Sequence, residues 1–199
     1  SSFYSYSYEY NDNGNLISHT TEYDTNGDGV TDEGSTYTYE YYENGNQSSH
    51  NYENYNSNGY NSYSTDYYED GNIMSDTGLS EYDWNDDGVI DESSSYTYEY
   101  DENGNQTLSS ESYSYDWDGD GVIDEEASYS YSYEYDDNGN LISESSESDT
   151  DGDGVIDESY TNSYSYEYDD NGNLISEISE SDTDGDGVID ESYTSSYSY

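Results

Sequence analysis

Two turn signals alternate strictly along this chain, and that alternation limits its fold more than any other feature. The first is Asn13-Gly14-Asn15. It returns as Asn44-Gly45-Asn46, Asp70-Gly71-Asn72, Asn103-Gly104-Asn105, Asn138-Gly139-Asn140 and Asn171-Gly172-Asn173, with glycines 31, 26, 33, 35 and 33 residues apart. The second begins at Asp24, Asn54, Asp83, Asp116, Asp149 and Asp182, at steps of 30, 29, 33, 33 and 33 residues. Self-similarity at such a period is the signature of a repeat architecture. The chain divides into six units, approximately 1–33, 34–62, 63–92, 93–125, 126–158 and 159–191, with 192–199 starting the next.

Between the turns the sequence has period two. Tyr129, Tyr131, Tyr133 and Tyr135 are separated by Ser130, Ser132 and Glu134, and the same comb runs through Tyr4 to Tyr10, Tyr96 to Tyr100 and Tyr164 to Tyr168. Alternation of this kind makes a strand with one tyrosine face and one Ser/Thr/Glu face. The partner strands, such as Leu141 to Ser148, are plainer and more polar. Asn-Gly between alternating runs is a hairpin signal, because both residues tolerate positive φ. The expected fold is all-β: a repetitive antiparallel β-hairpin array with about two strands per repeat, fibre- or solenoid-like and essentially without helix. Asn-Gly-Asn turns should lie along one border of the sheet and acidic loops along the other.

Composition decides what can hold such an array together. Leu, Ile, Val and Phe supply only 20 of 199 residues, whereas there are 32 Tyr, so any core must be made of tyrosine. The chain has 50 acidic residues, no Lys and no Arg, for a formal charge of −50. That charge excludes nucleic acid and anionic lipid as partners, since both need basic residues to meet phosphate. It also opposes compaction, so counter-cations are required. No apolar run is long enough for membrane insertion or a signal peptide.

The second turn signal shows where cations would sit. Its clean copies are Asp116-Trp-Asp118-Gly-Asp120-Gly-Val122-Ile-Asp124, Asp149-Thr-Asp151-Gly-Asp153-Gly-Val155-Ile-Asp157 and Asp182-Thr-Asp184-Gly-Asp186-Gly-Val188-Ile-Asp190. Two more carry Asn at the third place: Asp24, Asn26, Asp28, Val30, Asp32 and Asp83, Asn85, Asp87, Val89, Asp91. Calcium takes six to eight hard oxygens at about 2.3–2.6 Å. Side chains at positions 1, 3 and 5 converge if the chain wraps round the ion, and glycine at position 6 allows the sharp turn. The carbonyl at position 7 and the acid at position 9 would close the shell. With no Cys and only His19 and His50, nothing suits zinc or copper. The copy at Asn54 to Ser62 keeps Gly59 but has no acid at positions 1, 3, 5 or 9, so it should keep the turn and lose the tight site. About five Ca²⁺ sites are expected, with folding coupled to the ion.

The loop resembles the first nine positions of an EF-hand loop. It departs at position 12, where the EF-hand has a bidentate Glu and this chain has Ser35, Ser94, Ala127, Tyr160 and Tyr193. It is more similar to the calcium hairpin loops of integrin-type β-propellers and to thrombospondin type 3 and other bacterial surface repeats, a likeness that implies ligation from positions 1, 3, 5, 7 and 9. The stretch Tyr133-Glu-Tyr135-Asp-Asp-Asn-Gly-Asn-Leu141 resembles the YD/RHS repeat, an extracellular β-hairpin repeat, without that repeat's usual Arg.

No catalytic constellation is visible, and the chain is not expected to be an enzyme. His19 and His50 have no sequence partner and are expected at the surface. Trp84 and Trp117, at loop position 2, should pack over the loop edge. Asn46-Gln-Ser48 and Asn105-Gln-Thr107 are sequons for N-linked glycans, and the Ser/Thr face offers hydroxyls for O-glycans. The chain starts and stops in the same phase of the repeat, which reads as an excerpt of a longer array or a protomer of a fibre. The expected role is structural, an extracellular or cell-surface filament of chains associating end to end or side by side. The alternative is a calcium-dependent adhesin or surface-binding module using the Ser/Thr/Tyr sheet face.

Overall fold

A computed structural model describes residues 2–168, 173–183 and 188–197. It forms one antiparallel sheet of thirteen strands in chain order. The strands are Phe3–Tyr10 (β1), Leu16–Asp24 (β2), Glu33–Tyr41 (β3), Gln47–Asn56 (β4), Gly59–Tyr67 (β5), Ile73–Tyr82 (β6), Glu92–Tyr100 (β7), Gln106–Tyr115 (β8), Glu125–Tyr135 (β9), Leu141–Asp149 (β10), Glu158–Tyr168 (β11), Leu174–Asp182 (β12) and Glu191–Ser196 (β13). Each strand pairs only with its neighbours in sequence, so the sheet is an open meander rather than a closed barrel. At about 4.8 Å per strand it spans roughly 60 Å. No helix occurs among the described residues.

One border carries the Asn-Gly-Asn turns. Each closes on an equivalent pair, such as Tyr10↔Leu16, Tyr41↔Gln47 and Tyr100↔Gln106, with a bulge just inside it. Only the glycine takes positive φ there, +83° at Gly14, while the asparagines do not. Both residues of an Asn-Gly pair tolerate positive φ, but this loop, longer than a two-residue hairpin, uses it only at the glycine. Asn11 Oδ1 instead accepts from the Asn13 and Asn15 backbone N–H groups at 3.0 and 2.9 Å. Asp101 and Asp136 do the same in their turns.

The sheet has almost no apolar core. Ala127 is the one buried apolar side chain among the described residues, and the other buried groups are Thr21, Ser49 and a set of aspartates. Cohesion comes from cross-strand pairs on the tyrosine face. One row runs Tyr8↔His19↔Tyr37↔Tyr52↔Tyr63↔Gly78↔Tyr96 across seven strands. His19 stacks on Tyr8 at 4.6 Å and on Tyr37 at 5.8 Å, and His50 on Tyr39 at 5.1 Å, all within 11° of parallel. Both histidines are therefore half-buried rungs of an aromatic ladder rather than lone surface residues. Beyond Tyr96 most tyrosines pair with Ser or Glu. There the Tyr98 hydroxyl donates to Glu111 at 2.7 Å, and that carboxylate pushes the Tyr98 pKa up to about 12.

The other border carries the acidic loops, with one exception. Five nine-residue loops close on Tyr23↔Glu33, Tyr82↔Glu92, Tyr115↔Glu125, Ser148↔Glu158 and Ser181↔Glu191. The copy at 54–62 instead closes on Glu53↔Ser62 and zips on to Asn56↔Gly59, leaving only Ser57 and Asn58 as the turn. Elsewhere the residue before the loop lies on the tyrosine face. Glu53 lies on the opposite face, because its neighbour Tyr52 pairs with Tyr37. The strand β4 is thus one residue out of phase, and the tight turn restores the phase so that Tyr63 meets Tyr52. The expected turn is present, but it is a different corner from the other five.

Candidate metal centre

Each acidic loop is organised by its first aspartate. Asp24, Asp83, Asp116, Asp149 and Asp182 are all buried, from 1 to 8 % exposed, at the point where the strand leaves the sheet. The carboxylates of Asp24, Asp83, Asp116 and Asp149 accept loop N–H groups. Asp116 Oδ1 takes Gly119 N at 2.8 Å and Oδ2 takes Gly121 N at 2.7 Å. Asp149 takes Gly152 N at 2.7 Å and Gly154 N at 2.8 Å. Asp24 takes Gly27 N and Gly29 N, and Asp83 takes Asp87 N and Gly88 N. Charge-assisted bonds of this kind are the strong ones. They curl the chain round the carboxylate, and the curl needs left-handed backbone at positions 4 and 6, as at Gly119 (φ +69°) and Gly121 (φ +84°). The sequence pattern pointed to position 6 alone.

The curl brings positions 1, 3 and 5 together. Carboxylate oxygens of Asp116, Asp118 and Asp120 lie within 4.8 Å of one another, and so do those of Asp149, Asp151 and Asp153. Where position 3 is Asn, its Oδ1 takes the N–H two residues on: Asn26 from Asp28 at 2.8 Å and Asn85 from Asp87 at 2.9 Å. The fifth acid likewise takes the N–H of the seventh residue, at Val30, Val89, Val122 and Val155. In the last loop Asp184 and Asp186 lie outside the described residues. Asp182, Val188 and Asp190 are described, and Asp182 is buried as in the other copies.

The acid at position 9 was expected to close the shell, but it joins neither triplet. Its Oδ2 turns back to position 2, which presents an N–H and often a hydroxyl. Asp157 accepts from Thr150 N at 2.7 Å and Oγ1 at 2.6 Å, Asp190 from Thr183 N and Oγ1, and Asp32 from Thr25 N and Oγ1. Asp91 and Asp124 accept from Trp84 N and Trp117 N. Two donors on one oxygen hold the charge better than the empty space between like carboxylates. The threonine hydroxyl and then its N–H hold Asp32, Asp157 and Asp190 below the usual carboxylate pKa. At Asp83 burial acts upward but is outweighed by the N–H groups of Gly88, Asp86, Asp87 and Asn85, and the net direction is down. These are ionised carboxylates.

The donor set is all hard oxygen, in a chain with no Lys or Arg to balance it. That chemistry fits a hard divalent cation at the two full triplets. A further acid at position 10 (Glu33, Glu92, Glu125, Glu158 and Glu191) closes every one of the five loops in the pairing register. Its recurrence is visible in the sequence but was missed there. Trp117 stacks on Tyr115 at 4.7 Å and Trp84 leans on Tyr82 at 5.9 Å, yet both indoles stay about 70 % exposed.

No protein-family model matches the chain. No curated protein matches it either. Among solved structures it is similar to a porin-like protein from Bacteroides uniformis, at 13 % identity and a TM-score of 0.21, over 95 % of this chain and 87 % of that one. At that score the likeness bears on neither fold nor function.

Proposed function

We propose that this chain is a structural, extracellular, calcium-stabilised repeat protein that forms or belongs to a filament or surface fibre. The observation that carries the reading is the buried first aspartate at five corners of a sheet with one buried apolar side chain among the described residues. Burial is concentrated at carboxylates, so cohesion at the corners depends on what those carboxylates hold. Calcium suits the all-oxygen set and the flexible loop better than magnesium, which demands a rigid octahedron and keeps its waters. Five Ca²⁺ would cancel ten of the fifty negative charges where they are densest. The long axis of the meander and its two singly paired edge strands, β1 and β13, suit end-to-end growth by strand addition. A role as an adhesin rests on the exposed tyrosines Tyr4, Tyr6, Tyr8 and Tyr10 of β1.

The test is a calcium or terbium titration followed by circular dichroism and electron microscopy. The expected result is about five tight sites, a gain of β signal and elongated assemblies in calcium. Tight binding with only short monomers would sink the filament while sparing the site. Failure to bind at micromolar ion would sink both.

A further inference from the structure

The acidic loops at 83–91 and 116–124, the third and fourth of the six corners on their border and called the third and fourth loops below, do not stand apart. The Asp116 backbone N–H donates to the Asp91 carbonyl at 2.7 Å, tying the end of one loop to the start of the next. Between them lies a cleft of ≈ 420 Å³ whose walls include Trp84, Asp91, Glu92, Asp116, Trp117 and Asp118. A Cβ built on Gly119 would stand 2.6 Å from Asn85 Nδ2 and 3.7 Å from Asp91 Oδ1, so the fourth loop is pressed against these two side chains of the third.

Asp91 is only 5 % exposed, and its Oδ1 is buried without a hydrogen-bond partner. Its other oxygen is engaged by Trp84 N at 2.6 Å. The free oxygen faces Gly119 of the neighbouring loop, and Asp91 forms no triplet with Asp83 and Asp87 of its own loop. A buried carboxylate oxygen with no partner is costly. In most proteins a Lys or Arg would answer it. This chain has neither, and both histidines are rungs of the aromatic ladder. A bound cation is the remaining source of counter-charge.

We propose that the cleft between the third and fourth loops is a further divalent-cation site, shared by the two loops. Asp91 enters it from one side, Asp118 and Asp116 from the other, and Glu92 lies at the rim. The ligands are all hard oxygens, so the ion is of the calcium class. Sharing an ion makes filling of the two loops cooperative, because the second ion finds its loop already docked. The site rests on the reading that these loops hold hard cations, but the two fail separately.

Native mass spectrometry of the full chain in calcium, compared with Asp87→Ala, Asp91→Asn and the double variant, separates them. Asp87→Ala should remove the third loop's own ion. The double variant should lose one more, or bind it at least about tenfold more weakly. If the double variant binds the same number as Asp87→Ala with the same affinity, Asp91 serves its own loop alone and the shared site is overturned while the loop sites stand. If the unmodified chain binds no ion, both readings fall. Terbium soaked into crystals of the unmodified chain gives an answer that needs no variant to fold. An anomalous peak about 2.3–2.6 Å from Asp91 Oδ1 in the cleft supports the site. Peaks in the loops with none in the cleft overturn it.

Discussion

The corner at Asn54–Ser62 and the corner at Asp149–Asp157 occupy equivalent places on the same border, yet one turns in two residues and the other in nine. Asn56 pairs with Gly59 around Ser57 and Asn58, whereas Ser148 and Glu158 are the last pair below a loop of nine. Each reverses the chain and returns the next strand to the same sheet. Reversal alone therefore needs only two residues. The nine-residue version crowds Asp149, Asp151 and Asp153 within 4.8 Å and buries the first of them. Like charges at that spacing oppose folding. A loop that is longer and more strongly self-repelling than the task of turning requires fits the proposed role of holding a cation, and the corner without acids takes the simpler form.

Removing metal should break the comparison most sharply. With ion at a hundredfold excess over Kd, each occupied site adds about 2.7 kcal/mol. If calcium fills five corners as proposed, stripping it should cost on the order of 10 kcal/mol and lower Tm by tens of degrees. In hydrogen exchange, amides of Gly121, Gly154 and Val155 should lose protection while those flanking Ser57-Asn58 change least. Equal loss at both kinds of corner would show that the loops are not the ion's site.

Next in size is the loss of the organising aspartate. Asp149→Ala strands Gly152 N and Gly154 N, which it now holds at 2.7 and 2.8 Å. Losing charge-assisted bonds at a buried position should destabilise by about 2–3 kcal/mol in calcium. Asn54→Ala, at the matching place in the tight corner, should stay within about 0.5 kcal/mol. Chemical denaturation of the two variants checks the ratio.

How much of this was legible beforehand depends on which border is read. The Asn-Gly-Asn border, the alternation of faces and the absence of helix among the described residues followed from period-two tyrosines and two recurring turns. The first, third and fifth loop positions also met as their spacing implied, at Asp116, Asp118 and Asp120. Three things did not follow. The ninth acid has a competing donor at position 2, and the pattern Asp-x-Asp-x-Asp-Gly-x-x-Asp does not weigh Thr150 against an ion. The register of β4 depends on the parity between one turn and the next loop, and a glycine step of 26 residues in place of 33 was its visible trace. His19 and His50 had no neighbours in sequence, and their tyrosine partners came from adjacent strands.

Acid should sharpen the contrast more gently than chelation. Asp32, Asp83, Asp157 and Asp190 are all held below their ordinary value of 3.8. A depressed folded pKa adds stability that is fully present above the unfolded value and is lost as pH falls through the folded one. In metal-free protein the N–H groups of Thr25, Thr150 and Thr183 should therefore keep their protection down to pH 3.8 and lose it below. The Ser57-Asn58 turn has no acid in these positions and should show no such step. NMR amide shifts followed from pH 5 to 2 would reveal it, and a parallel step at Asn58 would contradict the assignment.

The smallest expected effect lies within the acidic corners themselves. Position 4 takes left-handed backbone in the described copies, as glycine at Gly27, Gly119 and Gly152 but as Asp86 (φ +61°) in the third. A residue with a side chain pays about 1–2 kcal/mol for that conformation, somewhat less when it is Asp, while glycine gives back about 0.4–1 through the unfolded chain. Asp86→Gly should then stabilise by under about 1 kcal/mol and also remove a negative charge beside Asp87. The reverse change next door should go the other way. Gly119→Ala combines positive φ with a Cβ 2.6 Å from Asn85 Nδ2, so it should destabilise by about 1–2 kcal/mol and loosen the contact between the third and fourth loops. If Asp86→Gly instead weakens the folded state in calcium but not without it, Asp86 is itself a ligand, and the third loop, with Asn85 in place of an acid, has recruited its fourth residue to replace the missing charge.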